Sequence, residues 1–111
     1  MLVSHEMRGH VCVVQPHGDI RVGDCDVAFR DAIRELLAAG QKFLVLDFSR
    51  VEFVDSTGLG DLAGLRAAAV RAGGNVKLSG LSKRLHDLLV LTRMDLVFEI
   101  FLTADEAVAS Y

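Results

Sequence analysis

The N-terminal part of the chain alternates between apolar and polar positions with two different periods. Residues 2–7 and 11–16 show the two-residue alternation of half-buried strands, separated by a short turn at 8–10, and so predict a β-hairpin. After a short extended piece at 18–20, the apolar period becomes that of an amphipathic helix, which Gly40 ends. The apolar stripe of this helix consists of Phe29, Ala32, Ile33, Leu36 and Leu37.

The middle of the chain combines a short apolar run with a second helix. Residues 43–46 are apolar without interruption, which is typical of a strand buried on both faces of a parallel sheet. A helix is predicted from about Thr57 to Ala72, because Gly73 and Gly74 then end the helical pattern.

The C-terminal part repeats the alternation of strand and helix. Residues 76–78 predict a strand, and Ser82 can cap a third helix. The last apolar run spans 96–102. A short fourth helix follows, since Thr103 and Glu106 fit the reciprocal N-cap pattern.

The order of these segments predicts the fold class. Strands that alternate with helices form parallel crossovers, which are right-handed in nearly all known cases. We therefore expect a single α/β domain over residues 1–111, with a mixed central sheet, parallel βαβ crossovers and about four helices packed on it. The predicted core contains Phe29, Ile33, Leu36, Val45, Leu46, Leu59, Leu62 and Val76.

Length and charge exclude several classes of protein. A chain of 111 residues is long enough for one core without disulfides or metals. A net charge of −3 without a basic cluster argues against a nucleic-acid-binding surface. The apolar runs are shorter than the roughly 20 residues of a membrane span, and the N-terminus lacks the features of a signal peptide. We expect a cytoplasmic protein with no membrane span.

Neither the cysteines nor the histidines indicate a reactive or metal-binding site. Cys12 lies in a strand-like run, where a buried thiol acts as a small hydrophobe. Cys25 lies near a predicted helix start, which can lower its pKa, but no base accompanies it. The four histidines lack the spacing of metal ligands, so we expect no metal and no cofactor.

The most informative segment is the turn at 55–58, Asp-Ser-Thr-Gly, between a strand-like run and a helix. Backbone N–H groups at the start of a helix have no partner within the helix, and they favour anions such as phosphate. The Ser56 hydroxyl therefore has two possible roles, either to cap the helix or to accept a phosphate. Thr57 offers a second hydroxyl, either for a phosphate or for capping and packing, and the Asp55 carboxylate can itself cap the helix.

This segment resembles the STAS-domain anti-sigma factor antagonists of bacterial regulatory switches. Their signature is an apolar strand that ends in Asp, a short apolar stretch, and then Asp-Ser-Ser/Thr-Gly-Leu-Gly. The positions that fall on it are Asp47, Val51, Phe53, Asp55, Ser56, Gly58, Leu59 and Gly60. The similarity in element order extends from about Val11 to Val108, although the turn is its specific part.

The resemblance implies a protein-binding module that phosphorylation switches. The unmodified domain would bind an ATP-binding anti-sigma factor serine kinase, which then releases its sigma factor. Phosphorylation at Ser56 would inactivate the domain. A phosphatase is the further expected partner. Thr57 is the second candidate for modification. The expected partner-binding residues are Asp19, Asp55, Ser56, Thr57, Gly58, Leu59, Gly60 and Asp61, and a monomer or weak dimer is expected. Within the same family, a STAS scaffold or an accessory subunit of a lipid-transport complex is the alternative.

Two features of the second helix, its glycines and Arg66, allow more than one interpretation. Gly58 and Gly60 cost about 1 kcal/mol each in a helix, which either a close partner backbone or close packing on the sheet would explain. Arg66 falls on the predicted apolar face beside Leu59, Leu62 and Val70, where it either reaches the edge of the sheet or contacts a partner. Asp61, in the first turn, adds negative charge beside Ser56.

Two enzyme classes share short motifs with the turn but do not fit. Aspartic proteases carry Asp-Ser/Thr-Gly, whereas one extra residue stands between Asp55 and Gly58, and the flanks here are β then α. A dinucleotide-binding turn requires an acidic residue at the end of the next strand, where Ser79 and Gly80 stand. We therefore expect no catalytic activity.

Overall fold

The computed structural model describes residues 2–111, except the side chains of Asp24 and Cys25, so the expectation for the Cys25 thiol lies outside the described residues. Within this part, the chain forms five strands, four α-helices and one 3-10 helix. In chain order these are β1 (Leu2–Arg8), β2 (Val11–His17), α1 (Asp24–Ala38), β3 (Phe43–Asp47), α2 (Ser56–Arg71), β4 (Asn75–Ser79), α3 (Lys83–Leu91), the 3-10 helix (Met94–Leu96), β5 (Ile100–Phe101) and α4 (Ala104–Ala109).

The five strands form one mixed sheet in the order β1-β2-β3-β4-β5. The β1–β2 hairpin is antiparallel, and β2, β3, β4 and β5 pair in parallel. Helices α1, α2 and α3 connect the parallel strands, as βαβ crossovers require. The predicted α/β fold is confirmed.

Both faces of the sheet are covered, which explains the uninterrupted apolar run in β3. Leu44 and Leu46 belong to the main core under α1, α2 and α3, whereas Val45 packs in a smaller cluster with Ala107 of α4. All the predicted core residues are buried except Leu36, which is partly buried and packs against the main core.

The last apolar run is not one regular element. Residues 94–96 form the 3-10 helix, and only Ile100–Phe101 joins the sheet, beside β4. Phe98 between them is buried, so the run supplies one core side chain and a short edge strand.

No helix among the described residues combines the length and the apolar character needed to cross a membrane.

Candidate functional site

The predicted site is assembled from two loops, 18–22 after β2 and 50–55 after β3. Ile20 and Val54 form an isolated parallel bridge, which extends the sheet by one pair beyond its regular strands. The Ile20 N–H donates to the Phe53 carbonyl, and the Asp55 N–H donates to the Ile20 carbonyl, each at 3.0 Å. The loop around Ile20 therefore lies directly beside the residues that lead into α2.

Asp19 connects the two loops through its side chain. Its Oδ1 atom accepts hydrogen bonds from the backbone N–H groups of Glu52 and Phe53, each at 3.2 Å. Its Oδ2 atom lies 3.2 Å from the Arg21 guanidinium. The carboxylate of Asp19 is thus largely used to hold the loops together.

Asp55 is the N-cap residue of α2, with the extended backbone that this position requires (φ −79°, ψ 178°). Its carboxylate accepts hydrogen bonds from the N–H of Gly58 at 2.9 Å and from the N–H of Val22 at 2.6 Å. These two bonds, the Gly58 bond foremost, lower the pKa of Asp55 because they stabilise the ionised carboxylate.

Ser56 is the first residue of α2 and is exposed, as is Thr57. Because Asp55 caps the helix, the interpretation of Ser56 as the capping residue is wrong. The Ser56 hydroxyl forms no hydrogen bond with the described part of the chain. A helix start with a free, exposed hydroxyl beside it is geometrically suited to modification from solution.

The glycines of α2 differ in what surrounds them. A Cβ atom on Gly58 would lie 2.6 Å from Val54 Cγ1 and 3.0 Å from Ile20 Cγ2, so close packing requires glycine there. A Cβ atom on Gly60 or Gly64 would meet nothing within 4 Å. Packing on the sheet therefore explains Gly58 but not Gly60, whose surface is open.

Leu59 and Asp61 both point away from the exposed end of α2. Leu59 is 6% exposed and belongs to the main core. Asp61 is partly buried, and its Oδ2 atom is buried without a partner among the described residues. Burial, chiefly, raises the pKa of Asp61; in α1, Arg30 and Arg34 lower it and Asp26 raises it further. The predicted charge next to Ser56 is therefore directed toward α1.

The buried face of α2 contains Leu59 and Leu62, as predicted, but not Val70. Its buried residues are Gly58, Leu59, Leu62, Leu65 and Ala69, whereas Val70 is 46% exposed. Arg66 lies at the edge of this face and is partly buried, with its Nε atom buried and unpaired among the described residues.

Two residues near the site were missed by sequence analysis, Arg21 and Arg84. Their guanidinium carbons lie 4.5 Å and 4.9 Å from the centre of the Phe53 ring. Arg21 has a weak sequence signal, since it follows the loop residue Asp19. Arg84 has none, because only the tertiary packing of α3 brings it to Phe53.

Comparison with known proteins agrees with this geometry. The STAS domain family matches residues 3–107, a range that includes the mixed sheet and the Asp-Ser-Thr-Gly turn between β3 and α2. A Bacillus subtilis (strain 168) protein named anti-sigma-B factor antagonist is 34% identical over 100 residues, which cover 85% of this chain and 92% of that protein. The chain belongs to the STAS-domain anti-sigma factor antagonist family.

Solved structures show the same fold. An anti-sigma factor antagonist from Mycobacterium paratuberculosis superposes with a TM-score of 0.87 at 28% identity, covering 98% of this chain and 92% of that chain. The Bacillus cell fate determinant SpoIIAA in its phosphorylated form superposes with a TM-score of 0.75 at 19% identity, covering 98% of each chain. At that identity the second likeness concerns the fold alone.

Proposed function

We propose that this chain is an anti-sigma factor antagonist that phosphorylation of Ser56 switches off. The unmodified protein binds an ATP-binding anti-sigma factor serine kinase in the cytoplasm and thereby frees a sigma factor. The kinase inactivates the antagonist by phosphorylating it, and a phosphatase restores it. The observation that carries the proposal is the exposed Ser56 hydroxyl at the start of α2, which the helix does not need because Asp55 caps it.

The charge of a phosphate explains why modification would act on the complex. A phosphoserine carries about −1.5 to −2 charges at neutral pH. The N-terminus of α2 favours negative charge, and Ser56 is exposed, so the domain itself tolerates the group. In a complex, the same charge and bulk would meet a partner surface shaped for a hydroxyl, next to the Asp55 carboxylate.

The proposed binding surface is centred on the exposed end of α2. Ser56, Thr57 and Gly60 are exposed, and the open space at Gly60 lets a partner backbone approach closely. The remaining members of the proposed interface act mainly by shaping it. Asp19 and Asp55 hold the loops, Gly58 and Leu59 pack the helix, and Asp61 contacts α1.

The proposed role is binding without turnover, as a monomer or a weak dimer. The Bacillus subtilis relative is named for a regulatory function. The alternative of a scaffold or a lipid-transport subunit is not favoured, since the Bacillus subtilis relative and the Mycobacterium paratuberculosis structure are both named anti-sigma factor antagonists.

The test combines intact-mass measurement with a binding assay against each ATP-binding anti-sigma factor kinase encoded in the same genome. We expect one phosphate on the wild type, mapped to Ser56, none on Ser56→Ala, and one on the control Thr57→Val. Ser56→Ala should bind the kinase in the presence of ATP, and Ser56→Asp should bind weakly with near-native stability. Equal kinase binding by the wild type and Ser56→Asp would refute the switch, as would a phosphate located elsewhere.

A further inference from the structure

A small apolar groove lies between the loop before α2 and the helix α3. Its volume is about 200 Å³, and we call it the α3 groove. Its apolar wall consists of Phe53, Leu85, Leu88 and Leu91. The other lining residues are Glu52, Arg84 and Asp87, so the apolar wall is surrounded by side chains of both charges.

The groove is continuous with the proposed binding surface. Phe53 stands two residues before Asp55. Its N–H donates to the Asp19 carboxylate, and its carbonyl accepts a hydrogen bond from the N–H of Ile20. On the other side, the Ser82 hydroxyl at the start of α3 donates to the Glu52 carbonyl at 3.3 Å. The same short loop therefore forms one wall of the groove and leads to the phosphoacceptor.

The side chain that forms this wall is held in place. Arg21 and Arg84 both stack on the Phe53 ring, at 4.5 Å and 4.9 Å from its centre. Cation–π contacts of this kind restrict the ring, so less side-chain entropy is lost when a partner contacts it. At the open end, Leu91 is 80% exposed although it lines an apolar site.

The size and lining of the groove indicate which kind of chemical group it can hold. Pockets for small-molecule ligands are typically about 300–1,000 Å³. A space of about 200 Å³ suits a single apolar or aromatic side chain. Binding energy at protein interfaces is concentrated in such anchors, which fill small apolar pockets surrounded by a polar rim.

We propose that the α3 groove receives one apolar or aromatic side chain of the anti-sigma factor kinase that phosphorylates Ser56. This contact would be a second anchor of the same interface, beside the one at Ser56. This inference rests on the proposed function. It extends the interface from the phosphoacceptor across Phe53 to Leu91. Phosphorylation would then act at one anchor while the other stays available.

The test measures the affinity of the unmodified protein for each ATP-binding anti-sigma factor kinase of the same genome, together with its oligomeric state. Leu91→Arg blocks the groove, and Leu91→Ser removes part of its wall without adding charge. Leu91→Met should restore the contact. Leu102→Arg is the matched control, because Leu102 is 83% exposed and lies outside the groove.

We expect Leu91→Arg to weaken binding by about tenfold or more and Leu91→Ser by several-fold. Leu91→Met and Leu102→Arg should bind like the wild type, and all four variants should unfold at the wild-type temperature because both leucines are exposed. Wild-type affinity in Leu91→Arg would overturn the inference, as would an effect limited to self-association of this chain.

The two proposals can fail separately. If Ser56→Asp abolishes binding and Leu91→Arg leaves it unchanged, the switch stands and the second anchor does not. If Leu91→Arg weakens binding and Ser56→Asp does not, the anchor stands and the switch fails. If no kinase of the genome binds the wild type, both are wrong.

Discussion

The backbone N–H of Val22 donates a 2.6 Å hydrogen bond to the Asp55 carboxylate, 33 residues away along the chain. The same carboxylate caps α2 through the N–H of Gly58. One side chain thus fixes the start of the helix and attaches the loop after β2 to it. The position of the exposed Ser56 depends on this double role.

Replacement of Asp55 should destabilise the domain in a graded way. Asp55→Ala removes both hydrogen bonds, whereas Asp55→Asn keeps a good N-cap acceptor and loses the charge, so we expect the melting temperature to fall more for Ala than for Asn. The folded-state pKa of Asp55 is lowered, so its stabilisation is present above the unfolded pKa of about 3.9 and is lost as pH falls through the folded value. Thermal unfolding at pH 7 and pH 3 measures this. If the difference in melting temperature between wild type and Asp55→Asn grew in acid, the lowered pKa of Asp55 would be contradicted.

The two serines at helix starts should respond differently to alanine. The Ser82 hydroxyl accepts the N–H of Leu85 at 3.1 Å and caps α3, so Ser82→Ala should cost about 1 kcal/mol of unfolding free energy. Ser56→Ala should change it by less than about 0.5 kcal/mol, because Asp55 already caps α2. Urea denaturation of both variants compares them directly. A loss in Ser56→Ala as large as that in Ser82→Ala would show that Ser56 serves the fold.

The two glycines at 58 and 60 form a matched pair for alanine substitution. Gly58→Ala should destabilise by about 1–3 kcal/mol, because the new methyl group would overlap Val54 and Ile20. Gly60→Ala should stabilise by about 1 kcal/mol, because its site is open and alanine favours the helix. Chemical denaturation measures both, and kinase binding to Gly60→Ala tests whether a partner backbone approaches there. Equal effects of the two substitutions on stability would refute this account.

Asp61→Asn should stabilise the domain at neutral pH. The folded-state pKa of Asp61 is raised, so its contribution to stability is most favourable below the unfolded pKa of about 3.9 and is lost as pH rises through the folded value. Burial is the main cause of the raised pKa, because it opposes the charge of the ionised carboxylate, and asparagine does not incur this cost. The difference in melting temperature between Asp61→Asn and wild type should therefore be largest at pH 7 and smaller at pH 4. If Asp61→Asn were less stable than wild type at pH 7, the raised pKa of Asp61 would be contradicted.

The sequence by itself determined the elements and the main chemical candidate. The periods of the apolar residues predicted the order of strands and helices, because side chains reach the same face every 3.6 residues in a helix and every second residue in a strand. The Asp-Ser-Thr-Gly turn identified the start of α2, because a helix start needs a capping group whatever its surroundings. These features depend on neighbours in the chain, so they can be read without a structure.

Only the tertiary structure decided how the side chains of the site are used. The second hydrogen bond of Asp55, from Val22, and the close packing of Ile20 on Gly58 both depend on loop 18–22, which is distant in sequence. The meeting of Asp61 with Asp26 and of Arg84 with Phe53 likewise depends on how the helices pack. Such contacts follow from the relative placement of elements on the sheet, and local patterns of hydrophobicity and capping carry no information about them.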